Sequence, residues 1–141
     1  MVPEWMKDAP NPFDTVLVAN RGEIAVRIIK AVQEAGLRAI AIYSEPDKDS
    51  LHTEMANQAI YLPGDSLSEN YLNSEAIIEA AKSSGAQAIH PGYGFLSERA
   101  EFAEAVKKSG MTWIGPSPEA IETMGDKISA RSRMIESGVP V

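Results

Sequence analysis

Apolar residues recur along this chain in two alternating patterns, short unbroken runs and stretches spaced by three and four, and that alternation lays out its elements. Thr15-Val16-Leu17-Val18-Ala19-Asn20 is a β-branched, apolar run without polar alternation, which predicts a central parallel strand covered on both faces. From Gly22 to Ala35 the positions Ile24, Ala25, Ile28, Ile29, Val32 and Ala35 fall on one helical face, and Gly36 ends the helix. Arg38-Ala39-Ile40-Ala41-Ile42-Tyr43 predicts a second strand, stopped by Pro46 within the polar loop Ser44 to Asp49. Leu51 to Asn57 predicts a short helix. Gln58-Ala59-Ile60-Tyr61-Leu62 is the third run, closed by Pro63-Gly64. Asn73 or Ser74 then caps a helix through Ile77, Ile78 and Ala81 to Gly85. Gln87-Ala88-Ile89 predicts the fourth strand, Glu98 to Lys108 a helix with Phe102, Ala103 and Val106 inward, and Thr112-Trp113-Ile114 the fifth strand. Ser117, with Pro118 at the first helical position, opens a helix that stops at Gly125, and Asp126 caps an amphipathic segment reaching Gly138.

Strands alternating with helices in this way predict an α/β fold. It is an open, mostly parallel, five-stranded sheet with helices on both faces, of Rossmann-like type, with the loops after strands one, four and five on one edge. Glu34-Ala35-Gly36, Ser83-Ser84-Gly85, Lys108-Ser109-Gly110 and Glu136-Ser137-Gly138 each close a helix ahead of an apolar run. The last run is only Val139-Pro140-Val141, so residues 15–125 read as a complete domain and 126–141 as the opening helix of a further, truncated one. Residues 1–14, with Pro3, Pro10 and Pro12 and no periodicity, read as an arm that docks Trp5 or Phe13 on the domain.

Composition narrows the chemistry. At 141 residues the chain can bury a core without staples, and with no cysteine it has neither disulfides nor thiolate metal sites. Its two histidines, His52 and His90, are too far apart in sequence to suggest zinc, so no metal ligands are expected. Thirteen Lys+Arg against twenty Asp+Glu give a net charge of −7, which argues against nucleic acid and anionic membrane surfaces. No signal peptide or membrane span is legible, so a cytoplasmic or organelle-matrix location is expected.

The candidate site is His90-Pro91-Gly92-Tyr93-Gly94-Phe95-Leu96-Ser97-Glu98, a strand-to-helix turn of the kind on which open α/β sheets place their chemistry. Gly92 and Gly94 let the backbone turn sharply and approach a ligand, Pro91 stiffens the entry and Ser97 can cap the next helix. Two readings stand: a ligand loop, or a tight turn whose Tyr93 and Phe95 cover the sheet edge. A nicotinamide or flavin site is disfavoured, because Asn20-Arg21-Gly22-Glu23 has one glycine and a carboxylate where a pyrophosphate would lie, although Glu45 stands at about the spacing of a ribose-binding acid. Gly125-Asp126-Lys127 lacks the spacing of a P-loop. Glu23, Arg27, Lys30 and Glu34 form a charged stripe along the first helix, either a solvated face or a subunit contact.

Three motifs together resemble the N-terminal, pre-ATP-grasp domain of biotin carboxylase: Val18-Ala19-Asn20-Arg21-Gly22-Glu23-Ile24-Ala25, the His90 to Glu98 turn, and Met124-Gly125-Asp126-Lys127. The resemblance runs from about Thr15 to the last residue. It implies the N-terminal part of a ligase that uses ATP, Mg2+ and bicarbonate, activated as carboxyphosphate, to carboxylate N1 of biotin. The biotin rides on a biotin carboxyl carrier protein or domain, and a carboxyltransferase component then serves acyl-CoA, pyruvate or urea. By the motifs, Lys127 contacts ATP, Tyr93 with Gly92 and Gly94 lines the biotin site, and Arg27, Lys30 and Glu34 meet a second subunit of a homo-oligomer. Lys30 stands where arginine is common. The glycine-rich lid, the magnesium-binding glutamates and the bicarbonate-holding basic residues would lie beyond Val141, so no catalytic residue is assigned and the chain alone is expected to be inactive. The alternative is a free-standing Rossmann-like binding or scaffold module.

Overall fold

The computed structural model describes residues 13–115; Trp5, the helices expected from Ser117 and Asp126, and Lys127 lie outside them. Among the described residues five strands and four α-helices alternate: β1 (Thr15–Val18), α1 (Gly22–Glu34), β2 (Arg38–Tyr43), α2 (Leu51–Met55), β3 (Gln58–Tyr61), α3 (Ser74–Ser84), β4 (Ala88–His90), α4 (Ala100–Lys108) and β5 (Thr112–Trp113). All neighbouring strands are parallel, in the order β3-β2-β1-β4-β5. The expected α/β architecture is the observed one. Short 3-10 turns follow β2 (Glu45–Asp47), β3 (Leu67–Glu69) and β4 (Phe95–Glu98).

The sheet needs both faces covered because the middles of its central strands, Val16 to Val18, Ala39 to Ile42 and Ala88 to Ile89, are apolar on both faces. Val16, Val18, Ala39, Ala41 and Ala88 face α1, whose Ala25, Ile28, Ile29 and Val32 are buried against them, with Met55 and Ala56 packing alongside. Leu17, Ala19, Ile40, Ile42 and Ile89 point the other way, into a cluster with Ile77, Ala80 and Ala81 of α3 and Phe102, Ala103 and Val106 of α4. Alternation along each strand therefore feeds two cores. Each fully buried Leu, Ile or Phe contributes about 1.5–3 kcal/mol of transfer free energy. Trp113 closes one side by meeting Phe102 edge-on, ring centroids 5.5 Å apart. Phe13 packs against the α1-side cluster, and the Asp14 carbonyl accepts from the Arg38 amide, so the entry to β1 is docked.

The elements differ from the sequence reading at their ends. β1 stops at Val18, and Ala19 and Asn20 belong to the turn, where the Ala19 amide still donates to the His90 carbonyl. β4 runs from Ala88 to His90 rather than from Gln87 to Ile89, the loop from Ser44 contains a 3-10 turn, and the short helix after it ends at Met55. Asn73, not Ser74, caps α3, its side chain accepting from the Ala76 amide at 3.1 Å. Ser97 does not cap α4. It sits within the Phe95–Glu98 turn and donates to the Gly94 carbonyl at 2.6 Å, so α4 begins only at Ala100. With every strand parallel, the loops after β1, β2, β3 and β4 all emerge at the carboxyl edge, a fuller set than the one expected.

Candidate functional site

In this sheet the strand order reverses between β1 and β4. The chain leaves β1 for β2 and β3 on one side, then returns to the other side for β4 and β5. The loops at such a reversal part and leave a crevice at the carboxyl ends of the strands. Here they are the Asn20-Arg21-Gly22 turn and the His90–Phe95 loop, the two segments singled out by their motifs.

Asn20 ties them together. It is fully buried, its Nδ2 donates to the Pro91 carbonyl at 2.9 Å and the Tyr93 carbonyl at 2.7 Å, and its Oδ1 accepts from the Arg21 amide at 2.9 Å. A carboxamide is suited to this position because it offers two donors and an acceptor in one plane. Gly92 lies against this clamp with φ +68°; an added Cβ would come within 2.7 Å of Asn20 Nδ2 and 3.0 Å of Ile24 and Ile28 of α1. Gly94, at φ +69°, has open space around it, so there it is the backbone conformation that demands glycine. The outcome is a loop fixed at its base whose Tyr93 side chain projects outward, 76% exposed.

His90 contributes from the end of β4. The Gly92 amide donates to its Nδ1 at 3.1 Å, which requires that nitrogen to be unprotonated, and burial lowers the imidazole pKa below its ordinary value. The neutral ring is thus the folded form. Because the unfolded chain takes up the proton at higher pH than the folded one, stability contributed here is complete above about pH 6.5 and is lost as pH falls below it. Thermal unfolding from pH 7.5 down to pH 5 should therefore show a decline in melting temperature that His90→Asn, which keeps an acceptor at the same place, lacks; parallel curves for the two proteins would remove His90 as the cause.

A second network, absent from the sequence reading, adjoins the first. Arg21 grips Asp47 through Nε at 2.7 Å and a terminal nitrogen at 2.6 Å, and the Tyr71 hydroxyl donates to the same carboxylate at 2.7 Å. Burial pushes the Asp47 carboxyl up, but hydrogen bonds from Arg21 and Tyr71 and the Arg21 charge outweigh it and hold the pKa below the usual carboxylate value. Its bond to Asp47, foremost, and that residue's charge raise Arg21. Burial and the Asp47 bond push Tyr71 up to about 12. The sequence signal was thin: Asp47 sits in a polar loop and Tyr71 in an aperiodic stretch.

Glu45 has no part in this site, being exposed and paired with Lys48 at 3.3 Å. Glu23 and Arg27 form the expected i,i+4 pair at 2.8 Å, both 78% exposed, and Lys30 and Glu34 are exposed further along α1. Among the described residues no group of three or more His, Asp or Glu is placed to hold a metal, and no helix is long and apolar enough to cross a membrane.

Residues 12–121 match the family described as biotin carboxylase, N-terminal domain. The chain is 54% identical to a biotin carboxylase of Halalkalibacterium halodurans over 129 residues, which are 92% of this chain and 28% of that protein. Among solved structures, the biotin carboxylase subunit of pyruvate carboxylase superposes with a TM-score of 0.78 at 50% identity, covering 92% of this chain and 28% of that one. The urea carboxylase of Kluyveromyces lactis does so with a TM-score of 0.81 at 48% identity, covering 94% of this chain and 12% of that one. The switch-point fold, the motifs on its two loops and the extent of these matches agree, and the chain belongs to the biotin carboxylase N-terminal domain family.

Proposed function

We propose that this chain supplies the N-terminal part of a biotin carboxylase that consumes ATP, with Mg2+, and bicarbonate to carboxylate biotin on a carrier protein, for onward transfer by a carboxyltransferase component. The observation that carries this reading is the exposed Tyr93, presented between two glycines at the switch point by a loop fixed to Asn20. An aromatic face on a rigid base suits contact with the planar ureido ring of biotin, and open space around Gly94 gives that ligand room to approach. Tyr93 orients rather than transfers protons, and no catalytic residue is assigned to these residues. Lys127, which follows Asp126 in the Met124-Gly125-Asp126-Lys127 motif, is the nucleotide contact in this reading.

The exposed stripe of Arg27, Lys30 and Glu34 is the contact of a homo-oligomer in the cytoplasm or an organelle matrix. Arg27 reaches that contact already paired with Glu23, which leaves its charge partly answered within the helix. Charge reversal at Lys30 and at Glu34, each alone, should weaken self-association of the longer protein in sedimentation, with partial recovery in the double reversal. Assembly unaffected by any of the three would make the stripe solvated surface. The activity itself is tested by phosphate release from ATP in the longer protein: it should depend on bicarbonate and rise with biotin, and release indifferent to both would remove the reading.

A further inference from the structure

We propose that Tyr71 is a positioning residue for the Tyr93 loop, setting through Phe95 the direction in which the exposed Tyr93 is presented. The significance of that direction rests on the reading of Tyr93 given above; the positioning itself rests on geometry. Phe95 is the one non-glycine residue among those described with φ in the left-handed region, at +49°. A bulky side chain holds that conformation only when its surroundings over-determine it. Phe95 packs against the core cluster beside α3 and α4, and its aromatic partner there is Tyr71, whose ring centroid lies 5.6 Å away at an interplanar angle of 40°.

Tyr71 is 1% exposed and has little freedom of its own. Its hydroxyl donates to Asp47 at 2.7 Å and accepts from the Ser44 amide at 3.2 Å, and the Arg21 guanidinium lies 5.7 Å from its ring centre. These partners come from successive loops at the carboxyl edge: Arg21 after β1, Ser44 and Asp47 after β2, Tyr71 after β3 and Phe95 after β4. A phenylalanine would fill the same apolar space, but only a phenol fastens the ring to the loop after β2. Asn20 holds the Tyr93 loop from the β1 side at Pro91 and Tyr93; Tyr71 holds it from the far side at Phe95, with Gly94 between. Tyr93 is thus suspended between two anchors, one a hydrogen-bonded carboxamide and one a tilted ring contact whose tyrosine is held by hydrogen bonds to the ion-paired Asp47 and to the Ser44 amide.

The test uses backbone 15N relaxation and amide exchange on the 141-residue chain. In Tyr71→Phe, order parameters at Tyr93 and Gly94 should fall from about 0.85 to about 0.6 or below. The Ser97 amide, which donates to Gly94, should exchange about tenfold faster, with β1, β2 and β4 unchanged. Phe95→Asn, which tolerates a left-handed backbone but lacks the ring, should do the same, and the double variant should add little because both single changes cut one connection. Loss of melting temperature with the loop as ordered as in the parent would make Tyr71 ordinary core and overturn the proposal, as would loosening spread evenly over the strands. These readouts do not involve activity, so a loop that loosens while biotin binding proves independent of Tyr93 supports the positioning and removes the functional reading separately.

Discussion

Gly92→Ala should destabilise the domain by about 3 kcal/mol or more, through two costs that a control can separate. Adopting a left-handed conformation costs an alanine about 1–2 kcal/mol wherever it occurs. At Gly92, φ +68°, the new methyl would also press on Asn20 Nδ2 at 2.7 Å and on two isoleucines of α1 at 3.0 Å, and overpacking of this kind adds about 1–3 kcal/mol. Gly85 has a similar φ, +78°, with nothing within 4 Å, so Gly85→Ala carries the backbone cost alone. Denaturant unfolding of the two variants gives the comparison. Equal losses would mean that the Gly92 loop yields freely and does not press on α1, contrary to the account of a fixed loop.

Asn20→Asp should be the more informative single change, because it alters one atom of the clamp and almost no volume. The two donated bonds to the Pro91 and Tyr93 carbonyls would become a carboxylate oxygen facing two carbonyl oxygens in a fully buried place. Lost hydrogen bonds and an unpaired buried charge together make about 3 kcal/mol or more a fair expectation at neutral pH. The sign with pH is fixed by the same argument. Burial and repulsion raise the new carboxyl in the folded state above its unfolded value, so the variant regains stability as pH falls through that raised value and the group becomes neutral. The parent has no such acid-side recovery from this position. A variant as stable as the parent at pH 7 would show that the two loops are not held by this side chain.

The fold was legible because its signal is repeated and physical. Short, unbroken, β-branched apolar runs such as Val16 to Ala19 and Ile40 to Ile42 suit strands covered on both faces, and α1 announces its buried stripe by spacing alone. Strand order was not legible, since no local pattern says that β4 returns beside β1, and with it went the identity of the groups meeting at the crevice. Gly92, Tyr93 and Gly94 could be picked out by their unusual composition. Asn20 stood in a recognisable motif, but its role depends on contacts more than seventy residues away in sequence. Asp47 and Tyr71 are separated by loops of ordinary composition and meet only because two successive crossovers deliver them to the same edge. Ser97 shows the opposite failure: a good capping residue by type, it was taken up by a tighter turn two residues before the helix could begin.

The most direct measurement is steady-state kinetics of the proposed longer carboxylase with free biotin and ATP varied separately, for the parent, Tyr93→Ala and Lys127→Ala. Tyr93 is exposed and its ring is not needed for the Asn20 clamp, which uses its carbonyl, so the substitution should leave the fold intact. The account predicts that Tyr93→Ala raises the KM for biotin about tenfold, equivalent to about 1.4 kcal/mol if it reports binding, with the KM for ATP unchanged, and that Lys127→Ala does the reverse. A Tyr93→Ala enzyme whose dependence on biotin matches the parent's would contradict it, and would return the loop to the role of a tight turn at the edge of the sheet.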